Sequence, residues 1–348
     1  MPPRVSVLLP NLNNRPYLDE RLQTIVNQTY TDWELIIIDN YSDDGAWELF
    51  QEWAGKDARI KISQAPRNGM YANWNNCIRQ AQGDFIYIAT SDDTMEPELL
   101  DVMVTALTEY HECDLAHCKI RIIDESGEKH PSLLWDNFPG IAYFGDLINK
   151  KHIRLAPHDG FLHCGVKTVY TSITQLLIRK SLFDRIGLFL TDYGSIADFE
   201  WEMRASLIAN TIHIPEYLAT WRVHTSQGTD HNYLKTPKHR AHLLELIDHA
   251  LSVAGKINPA LLQNTRINSL KELYKKEKFQ LEIGAQKNTI DKYKVGLSWL
   301  FKNPFIMLKY FIRSKVFPKP CPMPQQAMEF SRRILTRHNC INNIKLVD

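Results

Sequence analysis

The chain has 348 residues, with 41 basic against 40 acidic side chains and a formal charge of +1. That balance excludes a global field for nucleic acid, and no low-complexity tract marks a disordered polymer. Its six cysteines (Cys77, Cys113, Cys118, Cys164, Cys321, Cys340) form no CxxC pair, which reads as reduced thiols of a cytosolic protein rather than a disulfide frame.

The opening "MPPRVSVLLPNLNN" ends its apolar run at Pro10, too soon for the h-region of a signal peptide. No stretch approaches the length needed to span a bilayer, so the expected location is inside the cell. Val5 to Leu9 reads as a first strand, and Tyr17 to Gln28 as a helix. "WELIIID" (Trp33 to Asp39) is a second strand, followed by a helix over Ala46 to Ala54. Arg59 to Ser63 is a third strand and Tyr71 to Gln82 a third helix. Phe85 to Ala89 is a fourth strand, with a helix from about Pro97 to Tyr110. Alternation at this spacing predicts βαβ units and a mostly parallel sheet. The unbroken runs in "LIIID" and "FIYIA" predict strands covered on both faces.

Asp114 to Asp124 predicts another strand. Residues 125 to 170, rich in Gly, Pro, His and aromatics, read as an irregular excursion over the sheet. Thr171 to Phe189 predicts a strand and a short helix, 198 to 209 a helix, and Thr211 to His224 extended chain bent at Pro215. Beyond Thr236 the sequence turns helical and basic, with a boundary expected near residue 235.

In open α/β sheets ligands bind beyond the carboxyl ends of the strands. There this chain places Pro10-Asn11-Leu12-Asn13, then Asp39-Asn40-Tyr41-Ser42-Asp43-Asp44, then Arg67-Asn68-Gly69, then Ser91-Asp92-Asp93. Any one cluster is ordinary turn or helix-cap chemistry. Four in succession on one rim point to a shared ligand. No GxGxxG follows the first strand and no GxxxxGK[ST] occurs, so phosphates would need another counter-charge. A divalent cation on Asp92 and Asp93 supplies one. The competing reading is that Asp92 and Asp93 cap the helix after Pro97; the two roles are compatible.

"VSVLLPNLNN", "WELIIIDNYSDDG", "NGMYANWNNCIRQAQGDFIYIATSDDTMEP" and "LIRKSLFDRIGLF" resemble, in order and spacing, the family 2 glycosyltransferases. The resemblance covers roughly the first 225 residues. It implies a GT-A nucleotide-diphospho-sugar transferase fold, an α/β class with a Rossmann-like mixed, mostly parallel sheet, over residues 1–235. Residues 236–348 would form a helical, basic C-terminal region. It also implies a nucleoside-diphosphate-sugar donor. Pro10 and Asn13 would line the base pocket, Asp39 would bind base or ribose, and Arg67 and Asn68 would flank the nucleotide. Asp92 and Asp93 match the DxD-type motif for Mn²⁺ or Mg²⁺, with Asp93 the expected direct ligand. Asp198 in "ADFEWEMRA" would be the base, with Glu200 and Glu202 as neighbouring competitors. Arg222 and His224 in "WRVH" would close over the diphosphate, His224 joining the metal set. Thr90, Asn40 and Ala197 depart from acidic residues common at those positions in the family.

Transfer would put charge on the departing diphosphate, where a cation stabilises it, while Asp198 takes the acceptor proton. Direct displacement with inversion is what the family implies. A nucleotidyltransferase would need a Gly- and Lys-rich loop after the first strand, which "PNLNNRPY" lacks. A non-catalytic sugar-nucleotide-binding scaffold would need no base.

His111, Cys113, His117 and Cys118 fit no common zinc spacing. His152, His158 and His163 read equally as acceptor contacts or loop polarity. Val295 to Pro320 interleaves large apolar residues with Lys302, Lys309, Arg313, Lys315 and Lys319, and no Asp or Glu occurs between Asp291 and Glu329. That pattern suits a helix lying on an anionic membrane surface, or a helical appendage packed on the domain. The expected acceptor is a glycan or lipid-linked hydroxyl in surface-polysaccharide synthesis, met in the cytoplasm or at the inner membrane face, with no nucleic-acid partner.

Overall fold

The computed structural model describes residues 4–166, 169–225, 236–263, 265–308, 336 and 343–347. Its frame is the predicted alternation: β1 (Val5–Asn11), α1 (Arg15–Val26), β2 (Trp33–Asp39), α2 (Ala46–Lys56), β3 (Ile60–Gln64), α3 (Met70–Gln80), β4 (Phe85–Ile88) and α4 (Leu99–Glu109). Every residue of β1, β2 and β4 is buried, as strands covered by helices on both faces require. The remaining elements are β5 (Cys113–Ile123), α5 (Pro139–Ala142), β6 (His152–Arg154), α6 (His158–Val166), β7 (Leu176–Arg179), α7 (Ser181–Ile186), α8 (Ala197–Ser206), β8 (Asn210–Arg222), α9 (Pro237–Ile257), α10 (Thr265–Gly284), α11 (Thr289–Lys302) and β9 (Ile344–Leu346).

One mixed sheet runs β3-β2-β1-β4-β7-β5-β8-β6-β9. Pairing is parallel through β3, β2, β1 and β4 and again between β5 and β8; β7 inserts antiparallel between β4 and β5. The predicted bend at Pro215 is a bulge. Cys118 pairs with Ile214 but Lys119 with Tyr217, which leaves Pro215 and Glu216 unmatched, a position that suits a residue without an N–H.

Two expectations change. The excursion over 125–170 is not irregular throughout: it contributes β6 to the sheet and the helix α6. Beyond α9–α11 the C-terminal part supplies β9, which pairs with β6. Three-residue strands carry too little periodicity to be read from sequence. The boundary expected near 235 falls in 226–235, outside the described residues. On its far side, Leu243, Ile247, Ala250, Leu251 and Ala254 of α9 join the same apolar core as the sheet. The four described cysteines (Cys77, Cys113, Cys118, Cys164) are buried and in no disulfide with one another.

The excursion's histidines are neither acceptor contacts nor loop polarity. His152, His158 and His163 are fully buried with His117 and His213. The Nδ1 atoms of His117 and His213 lie 2.9 Å apart. His213 Nε2–H donates to the Ile148 carbonyl at 2.8 Å and Gln175 donates to His117 Nε2. A proton on one of the two Nδ1 atoms bridges the imidazoles, and the Arg154 Nη2 donor lies 3.2 Å from His117 Nδ1. Arg154 shares this pocket, paired with Asp159 at 2.8 Å, which also bonds His158 and Tyr170. Burial first, then the Arg154 charge, holds His117 and His213 well below the ordinary imidazole value and His152 down to about 4.

These histidines take up protons on unfolding, so stability is full above about pH 6.5 and is lost as pH falls toward 4. For His152 alone the loss amounts to roughly 3 kcal/mol at about 1.4 kcal/mol per pH unit. Thermal unfolding followed between pH 7.5 and 5 should show a falling midpoint, and a flat profile would contradict the neutral network.

Candidate active site

The rim at the carboxyl ends of β1 and β2 is a preorganised polar network. Asp39, fully buried, accepts from Asn11 Nδ2 at 2.9 Å, from the Ser42 backbone N–H at 2.9 Å and from Ser42 Oγ at 2.5 Å. Ser42 Oγ in turn accepts from the Asn13 N–H at 2.9 Å, and Asn13 Oδ1 accepts from the Asp43 N–H at 3.0 Å. Asn13 and Tyr41 hold φ of 53° and 52°, a left-handed strain that non-glycine residues tolerate where neighbours over-determine it. Pro10 is buried within β1. Arg67 donates to the Asn40 and Tyr41 carbonyls at 3.0 and 2.5 Å, closing the loop after β3 over the loop after β2. Asn68 is exposed beside it. Asn40, which stands where a second acid is common, donates to the carbonyls of Ala65 and Pro66 and so anchors that loop.

The acidic turn after β4 is tied to the end of β8. Asp93, 2 % exposed, accepts the Arg222 N–H at 2.7 Å and the Thr90 hydroxyl. Burial, then the neighbouring Asp92 charge, raises its carboxyl well above the ordinary range. Asp92 keeps an exposed edge, its side chain 21 % accessible, and meets His224 Nε2 at 3.0 Å. Tyr17 packs on the His224 ring at 4.9 Å between centroids. The Arg222 guanidinium points into the protein. It donates to the carbonyls of Asp92, Asp124 and Glu125, and its Nη2 meets Glu20 at 2.6 Å. Arg222 thus orders the acidic turn from behind, while Asp92 presents its open side and the buried His224 ring backs it.

Asp198 opens α8 half-buried. Gly69, at φ 96°, turns the chain after Asn68 into α3, placing Tyr71 beside Asp198. The Tyr71 hydroxyl is near enough to influence the Asp198 carboxyl, although it makes no hydrogen bond of good geometry. An aromatic stack fixes this approach: Tyr71–Trp74 at 5.0 Å, Trp74–Phe189 at 5.2 Å and Phe189–Trp201 at 5.1 Å. Asn75 adds two hydrogen bonds to the Phe189 backbone. Burial raises the Asp198 carboxyl above the ordinary range, against its bond from the Phe199 N–H.

Of the competitors, Glu200 is fully buried between Arg204 and His249 at 2.7 Å, committed to fixing α8 on α9. Glu202, one turn below Asp198, is raised well above the ordinary range by burial and by the Asp198 charge. Both causes favour its neutral form over its ionised one.

Asn11, Ser42, Tyr17, Glu20 and Tyr71 were not singled out by sequence. Tyr17 and Glu20 share one turn of α1, a spacing that alone looks like any amphipathic helix. Among the described residues no group of three or more His, Cys, Asp or Glu is arranged to hold a metal ion by itself. Even so, one or two carboxylates completed by substrate phosphates is the arrangement a hard cation such as Mg²⁺ takes. The half-open Asp92 carboxylate beside an imidazole nitrogen fits that demand.

The chain matches the family model described as glycosyl transferase family 2 over residues 6–186. It is 31% identical over 134 residues to a putative glycosyltransferase, EpsE, of Bacillus subtilis (strain 168), covering 38% of this chain and 48% of that protein. It is 29% identical over 161 residues to the GalNAc(5)-diNAcBac-PP-undecaprenol beta-1,3-glucosyltransferase of Campylobacter jejuni, covering 45% and 50%. The chain thus spans about half the length of these curated relatives. The solved structure of S. aureus TarS 1-349 with UDP-GlcNAc superposes with a TM-score of 0.62 at 16% identity, covering 98% of this chain and 89% of that one, which identifies the fold as GT-A. With a family match over more than half its length and that fold beneath it, the chain belongs to glycosyl transferase family 2.

Proposed function

We propose that the protein transfers a sugar from a nucleoside-diphosphate-sugar to a hydroxyl of a glycan or lipid-linked acceptor, with a divalent cation and inversion at the anomeric carbon. The observation that carries this reading is the shared rim. The Asn11–Asp39–Ser42 network, the partly open Asp92 backed by buried His224, and the half-buried Asp198 all follow the carboxyl ends of strands or the helices beside them.

In this reading Asn13 meets the nucleoside, with Arg67 and Asn68 at its edge, and buried Asp39 and Pro10 hold that loop in place beneath it. Asp92 and His224 would hold Mn²⁺ or Mg²⁺, which supplies positive charge to the departing diphosphate. Asp93 and Arg222 fix the turn that carries Asp92. Thr90, standing where many relatives carry an acid, donates to Asp93 and keeps one oxygen of that buried carboxyl satisfied. Asp198 takes the proton of the acceptor hydroxyl. Its raised pKa makes it a stronger base than an exposed carboxylate. A lipid-linked acceptor is supported by the undecaprenol in the name of the Campylobacter relative. In this reading such an acceptor, on the route to a surface polysaccharide, is met in the cytoplasm at the inner membrane face.

The test is a thermal-shift series with UDP, GDP and their sugars, with and without Mn²⁺. A nucleotide held at about 100 times its Kd stabilises by roughly 2.7 kcal/mol, a readily measured rise in Tm. No shift with any nucleoside diphosphate and cation would overturn the donor assignment.

A further inference from the structure

Helix α11 carries two apolar faces. Val295 and Trp299 turn inward, where Trp299 packs on Phe279 at 5.3 Å and beside Met307. The other row, Ile290, Tyr293, Leu297, Leu300 and Phe301, recurs at helical spacing, and Phe305 and Leu308 continue it in the next turn. All seven are exposed, Tyr293 at 70%, Phe301 at 83% and Phe305 at 79%. No other part of the described chain exposes large apolar side chains so densely, and such a patch marks an interaction surface.

The charges around it are of one sign. Lys287, Lys292, Lys294 and Lys302 stand against the lone Asp291, and the sequence adds Lys309, Arg313, Lys315 and Lys319 before its next acid, Glu329. Those four later residues lie outside the described structure. On the inward side, a cavity of about 290 Å³ between α9, α10 and α11 is lined by Lys275, Lys278 and Lys302 around Trp299, with Glu282 its one acid. No described helix is long and apolar enough to cross a membrane.

We propose that the exposed face of α11 and the following turn lies in the plane of an anionic phospholipid bilayer. Its aromatic and aliphatic side chains enter the boundary between headgroups and acyl chains, and its lysines meet lipid phosphates. Charge complementarity selects this occupant. A second copy of the chain would set the same lysines against one another, whereas an anionic surface answers both the apolar row and its basic flanks. The inference deepens the lipid-linked reading of the acceptor, and rests on it for its purpose but not for its geometry.

Co-sedimentation of the full chain with vesicles tests it, using phosphatidylcholine alone and phosphatidylcholine with about one-third phosphatidylglycerol. Binding is expected only to the anionic vesicles and should weaken as salt is raised. The double variant F301S/F305S should bind at least about tenfold more weakly while keeping the nucleotide-induced thermal shift. Equal binding by the double variant, or no binding to anionic vesicles, overturns the proposal. A dimer in solution that the double variant abolishes, without vesicle binding, assigns the face to a second copy instead. Vesicle binding that persists where no nucleotide raises Tm would remove the donor reading and leave this one standing.

Discussion

Replacing Asp198 with Asn is expected to slow transfer by about 10²- to 10⁴-fold, the usual contribution of a positioned general base, in a protein that still folds and still binds its nucleotide. The substitution keeps the side-chain volume and an oxygen for the Phe199 N–H, the one hydrogen bond of good geometry the carboxylate makes among the described residues. Its effect on stability runs in the opposite direction from a structural loss. Burial raises the Asp198 pKa in the folded state, so ionisation at neutral pH disfavours folding, and a neutral Asn removes that penalty. Tm should therefore hold or rise slightly while turnover collapses. For the wild type, kcat/KM should fall as pH drops through a value above the ordinary carboxylate range, and that limb should vanish from whatever activity D198N retains. Unchanged turnover with a competent donor and acceptor would remove Asp198 as the base. A large drop in Tm would make its role structural.

The second large effect is expected at Asp92. Changing it to Asn should reduce transfer by about 10²- to 10³-fold, the range seen when a single group that stabilises leaving-group or oxyanion charge is removed. The residual activity should no longer respond to added Mn²⁺. The fold should survive, because Arg222 holds this residue by its main-chain carbonyl and not by its carboxylate. Calorimetric titration of Mn²⁺ in the presence of a nucleoside diphosphate provides the direct reading: heat for the wild type and little or none for D92N. The contrast with Asp93 is instructive. Its carboxylate accepts the Arg222 N–H and the Thr90 hydroxyl in a buried position, so D93A, which removes both acceptors and leaves those donors unpaired, should lower Tm as well as activity. Full transfer by the wild type in excess chelator would sink the metal reading for Asp92 and His224.

Much of the frame was legible because its signals are local. The alternation from β1 to α4 follows from apolar runs of strand length separated by helical periodicity, and strands buried on both faces cannot hide that pattern. The rim was legible for a related reason. A parallel βαβ unit delivers the end of each strand to the same edge, so polar clusters after Leu9, Ile38 and Ala89 had to meet. β6 and β9 were not legible, since three residues show no period. The histidine network was not either. His117 and His213 come from strands 96 residues apart in sequence, and only the parallel register of β5 with β8 sets them face to face.

The sequence by itself determined the sheet's central order of chemistry, the family resemblance, and which residue types stand at the rim. The tertiary structure decided the surroundings of each. Arg222, read as a donor to diphosphate, has its guanidinium drawn inward by three carbonyls and Glu20. Glu200 is removed from contention as a base by Arg204 and His249. Asp198 owes its raised basicity to an aromatic stack assembled from α3, α8 and the Phe189 loop. The physical reason is common to all three: a carboxylate's or a guanidinium's role is set by desolvation and by its nearest partners, and both are products of long-range packing. Thr90 shows the same rule in small, since a hydroxyl where an acid was expected becomes intelligible only beside the buried carboxyl of Asp93.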